Sequence, residues 1–87
     1  MYALIQGGES QERVALLFAL TRLDSAAIRQ ALIDHLCKGM SQEAASALNQ
    51  VPQQNLNRAL KRLNQVAATV EQIKELDWAQ FSSVHTK

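Results

Sequence analysis

The residue types that most often carry chemistry are few in this chain and poorly placed for it. Cys37 is the single cysteine, and the two histidines are His35 and His85. His35 and Cys37 flank Leu36, and on a helix residues two apart diverge by about 200°, so they do not share a site. Nothing has the paired spacing that holds zinc. Ser10, Ser25, Ser41 and Ser46 have no base at motif spacing, and each fits a helix cap or a helix contact better than a nucleophile. His35 and Cys37 are read as structural or surface residues and His85 as a solvated one. The chain is expected to have no catalytic residue, no metal and no cofactor, and not to be an enzyme.

The chemistry that is concentrated is binding chemistry. Between Ala44 and Val70 the charged residues are Arg58, Lys61 and Arg62, all basic; the acids Glu9, Glu12, Asp24, Asp34, Glu43, Glu71, Glu75 and Asp77 all lie outside that window. Net charge is only +1, but a local basic patch on a near-neutral chain still contacts phosphate. Gln53, Gln54 and Asn57 lie beside it, and Gln and Asn pair bidentately with adenine edges in the major groove. Arg and Lys bind phosphate or enter the narrow minor groove of an A-tract. The combination suits double-stranded, A·T-rich DNA.

Such residues need an element that presents them. Ser41 to Leu60 reads SQEAASALNQVPQQNLNRAL, the arrangement of a helix-turn-helix, in which a second helix is offered to a DNA groove. Ser41 caps the first helix, Ala45 and Ser46 are the small residues where the helices touch, Val51 plugs the corner, and Leu56 and Leu60 anchor the second helix. With those inward, Gln53, Gln54, Asn57, Arg58 and Lys61 point outward. The DNA-binding set is expected to be these five with Arg62, Ser41 and Gln42. One position is irregular: Asn49 stands where an apolar residue usually ends the first helix, and Leu48 is the expected substitute.

The rest of the chain supplies the support. Residues 1–8 read as an irregular tail closed by Gly7-Gly8. Ser10 caps a first helix with Val14, Leu17, Phe18 and Leu20 or Thr21 on its apolar face. Asp24 or Ser25 caps a second helix with Ile28, Leu32 and Leu36 inward and Ala31 and Ile33 beside them; Gly39 falls at a left-handed position just past its end. A short helix spans Gln42 to Leu48, and Asn49 to Pro52 is a turn. From Gln53 to Trp78 there is no Gly or Pro, and Leu56, Leu60, Leu63, Val66, Val70 and Ile73 keep helical spacing. This fits one long helix or two broken near Asn64-Gln65. Residues 79–87 read as a frayed tail. The fold class is all-α, a small bundle of four or five helices with its helical domain at 9–78. Leu32, Leu36, Val51, Leu56, Leu60 and Leu63 are expected in one core. Trp78 is expected first to cover the end of that core, with stacking on DNA or an interface as the alternatives. The acids of the C-terminal helix should turn it away from DNA.

The stretch from Val14 to Trp78 resembles the PapB-type regulators of fimbrial adhesin biosynthesis. The resemblance rests on Leu36-Cys37-Lys38-Gly39-Met40-Ser41, a helix-turn-helix of equal length, Leu60-Lys61-Arg62-Leu63, and Val66-Ala67-Ala68 after it. The chain departs at Gln42, where a basic residue is common, at Pro52-Gln53-Gln54, where Asn is common, and at Asn55-Leu56, where an aromatic residue is common. The plasmid repressor KorA (TrfB-like) is similar over the same region and ranks second. The resemblance implies an all-α transcription regulator of fimbrial genes that binds A·T-rich DNA as an oligomer.

Size argues in the same direction. A chain of 87 residues has a limited core and no disulfide to reinforce it, so self-association into dimers or higher oligomers is expected. The surfaces expected to serve are Leu4, Ile5, Val14, Leu17 and Phe18 at one end and Val66, Val70, Ile73 and Trp78 at the other. No apolar run reaches the ~18 residues of a membrane span, and Met1 to Gly8 lacks the features of a secretion signal; a cytoplasmic protein without a membrane partner is expected. The alternative from another class is a helical module that binds another regulator without touching DNA. It would show exposed Leu or Met between Gln53 and Arg62, where DNA binding demands a polar, acid-free face.

Overall fold

The computed structural model describes residues 4–85, and the side chains of residues 4–80. Its elements are α1 (Gln11–Ala19), α2 (Ala26–Leu36), α3 (Gln42–Leu48) and α4 (Gln53–His85), with no strand among the described residues. Three of the four helices begin on a serine whose hydroxyl accepts an otherwise unpaired backbone N–H, the role a short side-chain oxygen plays at an N-cap. Ser10 Oγ accepts from Arg13 N at 3.1 Å, Ser25 Oγ from Ile28 N at 3.2 Å and Ser41 Oγ from Ala44 N at 3.0 Å. Of the two candidate caps for α2, Ser25 is the one used. α4 opens on Pro52, whose carbonyl accepts from Asn55 N and Leu56 N at 3.0 and 3.1 Å.

The core is one cluster that takes a face from every helix: Val14 and Leu17 of α1, Ala31, Leu32 and Leu36 of α2, Ala45 of α3, and Leu56, Ala59, Leu60, Leu63 and Ala67 of α4. Five of the six expected core residues are buried; Val51 is half-buried and packs against them. Phe18 and Ile28 lie at the margin in the same way.

α4 is a single helix of 33 residues, about 50 Å long at 1.5 Å per residue. It runs through Asn64 and Gln65 because its buried stripe does not stop there: Leu60, Leu63 and Ala67 carry it across. It also passes Trp78 without a break and continues to His85, so most of the stretch expected to fray is helical. The side chain of His85 lies outside the described residues.

Residues 4–10 are irregular, as expected for the described part of the tail, but they are fastened down. Leu4 is buried in the core. Gly7 N donates to His35 O at 3.2 Å, Glu9 N to Leu36 O at 3.1 Å and Gln6 Nε2 to Gly39 O at 2.9 Å. The first two of these occupy carbonyls that the end of α2 leaves open. Gly7 and Gly39 both have positive φ, at 71° and 82°. A Cβ on Gly7 would stand 3.0 Å from Gly39 Cα, so the close approach requires glycine there. Glu9 then accepts from Ile5 N at 2.9 Å and pairs with Arg13, which reaches Glu71 of α4 at 2.9 Å. The segment, α1 and the middle of α4 are thereby tied together.

The structure places several apolar residues differently from expectation. Leu20 and Trp78 are 62% and 68% exposed. Trp78 does not cover the core, because α4 has already run past the core's end. Leu4, Val14 and Leu17 are core residues and offer no surface for association, whereas Leu16 and Leu20, one turn apart on the outside of α1, do.

Candidate nucleic-acid interface

α3 and α4 are joined by a tight corner. Asn49 N donates to Ala45 O at 3.2 Å, Gln50 N to Ala47 O at 3.3 Å and Val51 N to Ser46 O at 2.9 Å. Gln50 takes the left-handed conformation, φ 56°, which lets the chain reverse within so few residues. Ala45 and Ser46 are buried at the helix contact, and Ser46 Oγ donates to Glu43 O at 2.9 Å.

Asn49, irregular in sequence, has a specific partner. Its Nδ2 donates to Asp34 Oδ2 at 2.9 Å and to Ala45 O at 2.8 Å. Asp34 is buried in α2, and its other oxygen accepts from Gln30 Nε2 at 3.1 Å and lies 3.3 Å from Lys38 Nζ. The bond from Asn49, with those from Gln30 and Lys38, holds the Asp34 carboxyl below the usual carboxylate range, against the opposing effect of burial. A buried charge on α2 therefore pins the end of α3. Leu48, 66% exposed, does not substitute for an apolar residue at this position; the hydrogen bond does that work.

His35 and Cys37 are structural neighbours of this lock. His35 is buried with Nδ1 2.7 Å from Met40 O; a carbonyl only accepts, so Nδ1 carries the proton. Cys37 is half-buried, and burial together with the nearby Glu9 charge pushes its thiol up, against the pull of Lys38, which disfavours the reactive thiolate. Among the described residues no three of His, Cys, Asp and Glu gather to hold a metal ion, and no helix is long and apolar enough to cross a membrane.

On α4, Gln53, Gln54, Asn57, Arg58, Lys61 and Arg62 are all exposed, while Leu56, Ala59, Leu60 and Leu63 face inward. At about 100° per residue, Gln54, Arg58 and Lys61 form the crest opposite the buried stripe. Gln53 and Asn57 fall on one flank and Arg62 on the other. Among the described residues none of the three cations has a carboxylate within salt-bridge distance. From Arg62 the helix climbs about 14 Å, at 1.5 Å per residue, before the first acid, Glu71, which is itself held by Arg13 and Lys74. Ser41 is exposed at the start of α3 with its oxygen engaged as the cap, and Gln42 is half-buried. Neither lines the clefts beside the basic residues.

One residue that the sequence did not single out joins this face. Arg58, Lys61 and Arg62 line a cleft whose opposite wall is Leu23 and Ile28. An adjoining cleft is lined by Arg62 and Arg22, the latter on the loop between α1 and α2. Arg22 is far from the basic window in sequence, so no count along the chain includes it. The available signal was Leu23, an apolar residue in a polar loop, which marks a segment that folds back onto the core.

The fold and this face define a small all-α domain built on a helix-turn-helix. Among solved structures, the crystal structure of FocB from E. coli has the same fold, with a TM-score of 0.79 over 86% of this chain and 85% of that one at 24% sequence identity. No family model matches the chain, and no curated protein does.

Proposed function

We propose that this protein is a cytoplasmic, DNA-binding transcriptional regulator of the PapB type. It controls a fimbrial adhesin operon and binds A·T-rich duplex DNA as an oligomer through residues 41–62. The observation that carries the reading is the exposed, acid-free face of α4, with three cations that lack carboxylate partners among the described residues beside Gln53, Gln54 and Asn57. The resemblance of Val14 to Trp78 to the PapB-type regulators and the likeness of fold to E. coli FocB support it. So does the absence of exposed Leu or Met between Gln53 and Arg62, which leaves a purely protein-binding module nothing to grip there.

The roles divide by chemistry. Gln53, Gln54 and Asn57 sit at the start of α4, where recognition helices meet base edges, and they carry the base preference. Arg58, Lys61 and Arg62 bind phosphate, with Ser41 and Gln42 at the α3 end of the same motif. Few phosphate contacts per protomer make a single copy a weak binder, and neighbours on one duplex add affinity through effective concentration. The second copy docks on the apolar strip of Leu16 on α1 and Leu20 at its C-terminal cap with Val66, Val70 and Ile73 on α4; Leu20 and the three α4 residues line one groove there.

Gel-shift titrations on A·T-rich and G·C-rich duplexes at two salt concentrations test this. The A·T-rich duplex should bind more tightly. Lys61→Ala or Arg62→Ala should weaken both and lower the salt slope by ~1 per lost contact. Gln53→Ala or Asn57→Ala should relax base preference, by ~1–3 kcal/mol for a bidentate pair. Unchanged affinity in all four variants, with the fold intact, would overturn the assignment.

A further inference from the structure

We propose that Arg22, outside the helix-turn-helix, is a DNA-backbone residue that holds a phosphodiester together with Arg62 in the cleft between the α1–α2 loop and α4. The inference rests on the DNA-binding reading and adds a second element to the contact surface. Arg22 and Arg62 come from different parts of the chain and line the same cleft. Arg58 and Lys61 line the cleft beside it, and among the described residues no carboxylate lines either one. Two like charges converging on one site repel each other unless an anion lies between them. Among the described residues neither arginine has an acidic partner.

The loop is a fixed support rather than a loose strand. Leu20 N and Thr21 N donate to Leu17 O and Phe18 O at 3.0 and 3.1 Å, and Thr21 Oγ1 donates to Phe18 O at 3.0 Å. Leu23 packs on the core, and Ser25 caps the next helix. Arg22 is therefore held between two anchored points, and less of its binding energy is lost to ordering the backbone. A guanidinium fork matches two phosphate oxygens at once.

The clefts also say which phosphate they suit. Among the described residues no aromatic side chain lines either of them, and a nucleotide base has none of these to stack on. Both are open clefts rather than enclosed cavities, which suits a strand that passes through rather than a small molecule that is enclosed. From Gln53 to Arg62 α4 rises about 14 Å, enough to run from the floor of a major groove, ~8.5 Å deep and ~12 Å wide, out to its rim. Bases read at the start of α4 and a phosphate held at Arg22 and Arg62 are thus spaced as a groove floor and its rim.

The test is titration of the full chain and its variants against an A·T-rich and a G·C-rich duplex from 50 to 200 mM salt. One phosphate contact contributes ~0.9 to the slope. The affinity ratio of wild type to Arg22→Ala should therefore shrink about 3- to 4-fold over that range, equally on both duplexes and with base preference kept. Arg22→Ala with Arg62→Ala should lose less than the product of the single losses, because the two share a partner. Arg29→Ala, an exposed arginine outside both clefts, should change nothing, and an unchanged melting temperature shows that each variant folds. If Arg62→Ala lowers the slope and Arg22→Ala does not, the role of Arg22 is overturned while DNA binding stands. If the wild type shows no salt-dependent binding to either duplex, the DNA reading fails and this inference fails with it.

Discussion

A buried carboxylate persists only where its partners replace the water it has lost, and Asp34 shows how that requirement shapes the corner. Asn49 supplies Oδ2, while Gln30 and Lys38 supply Oδ1. The oddity of Asn49 was visible in the sequence. Its explanation was not, because the partner lies on another helix 15 residues earlier and local spacing carries no information about it. The serine caps were legible for the opposite reason: each acts on a backbone N–H three residues away. A pH prediction follows from the direction of the Asp34 shift. Its folded value lies below its unfolded value of about 4, so the charged form stabilises the fold above that value. The contribution is lost as pH falls through the folded value. Asn49→Ala removes the main cause of the shift and should cost ~1–3 kcal/mol at neutral pH. The gap to wild type in urea denaturation should narrow as pH drops below about 4. A gap that stays constant down to acid unfolding would mean that the bond does not depend on the carboxylate's charge.

Among the elements, α4 shows where periodicity informs and where it stops. The inward phase of Leu56, Leu60 and Leu63 was readable from spacing and is the phase observed. Continuity through Asn64 was not readable, since a polar pair in mid-pattern fits a break as well as a helix whose other face is solvated. The structure resolves this through Ala67, which keeps the stripe in contact with the core. Asn64 Oδ1 is nevertheless buried with no donor among the described residues. Asn64→Ala should therefore stabilise the domain by ~0.5 kcal/mol or more, through better helix propensity and loss of an unsatisfied acceptor. Leu56→Ala, at a fully buried position, should cost ~2–5 kcal/mol. Thermal or urea unfolding of the two variants reads both. A destabilised Asn64→Ala would show that this side chain supports the helix instead of straining it. Trp78 was misplaced for a related reason: an aromatic residue suggests a core lid, but the core ends before α4 does, and only packing reveals where.

At the scale of the molecule, chemistry is segregated along α4 and its supports. Cations without carboxylate partners among the described residues occupy the first half of the helix and the Arg22 loop, Glu75 and Asp77 lie toward its far end, and an apolar strip joins α1 to the middle. The expectation that this small chain self-associates came from its size. The surface expected to do so was partly wrong, because Leu4, Val14 and Leu17 were needed for the core. Only tertiary packing decides which apolar residues of an amphipathic helix remain outside. Leu16, Leu20 and Ile73 do remain outside, at 71%, 62% and 52% exposure. Joining two such strips withdraws them from water, and each Å² of apolar surface removed is worth roughly 25 cal/mol before the costs of association. Changing Leu16 and Ile73 together to Glu, both outside the clefts of Arg22, Arg58, Lys61 and Arg62, should place charges in that contact and prevent it. Both side chains are exposed, so monomer stability should move by no more than ~0.5 kcal/mol per site. In analytical ultracentrifugation the wild type should show a mass that rises with concentration, and the double variant should stay at the 9.6 kDa of one chain. On a long A·T-rich duplex the wild type should bind sigmoidally. The variant should fill the same duplex without cooperativity, while keeping its affinity for a duplex that holds one protomer. A wild type that remains monomeric at high concentration and fills long duplexes without cooperativity would remove the oligomer, and with it a main support for the fimbrial-regulator reading. A double variant that still self-associates would instead move the interface off this strip, toward the exposed distal turns of α4 around Leu76 and Trp78.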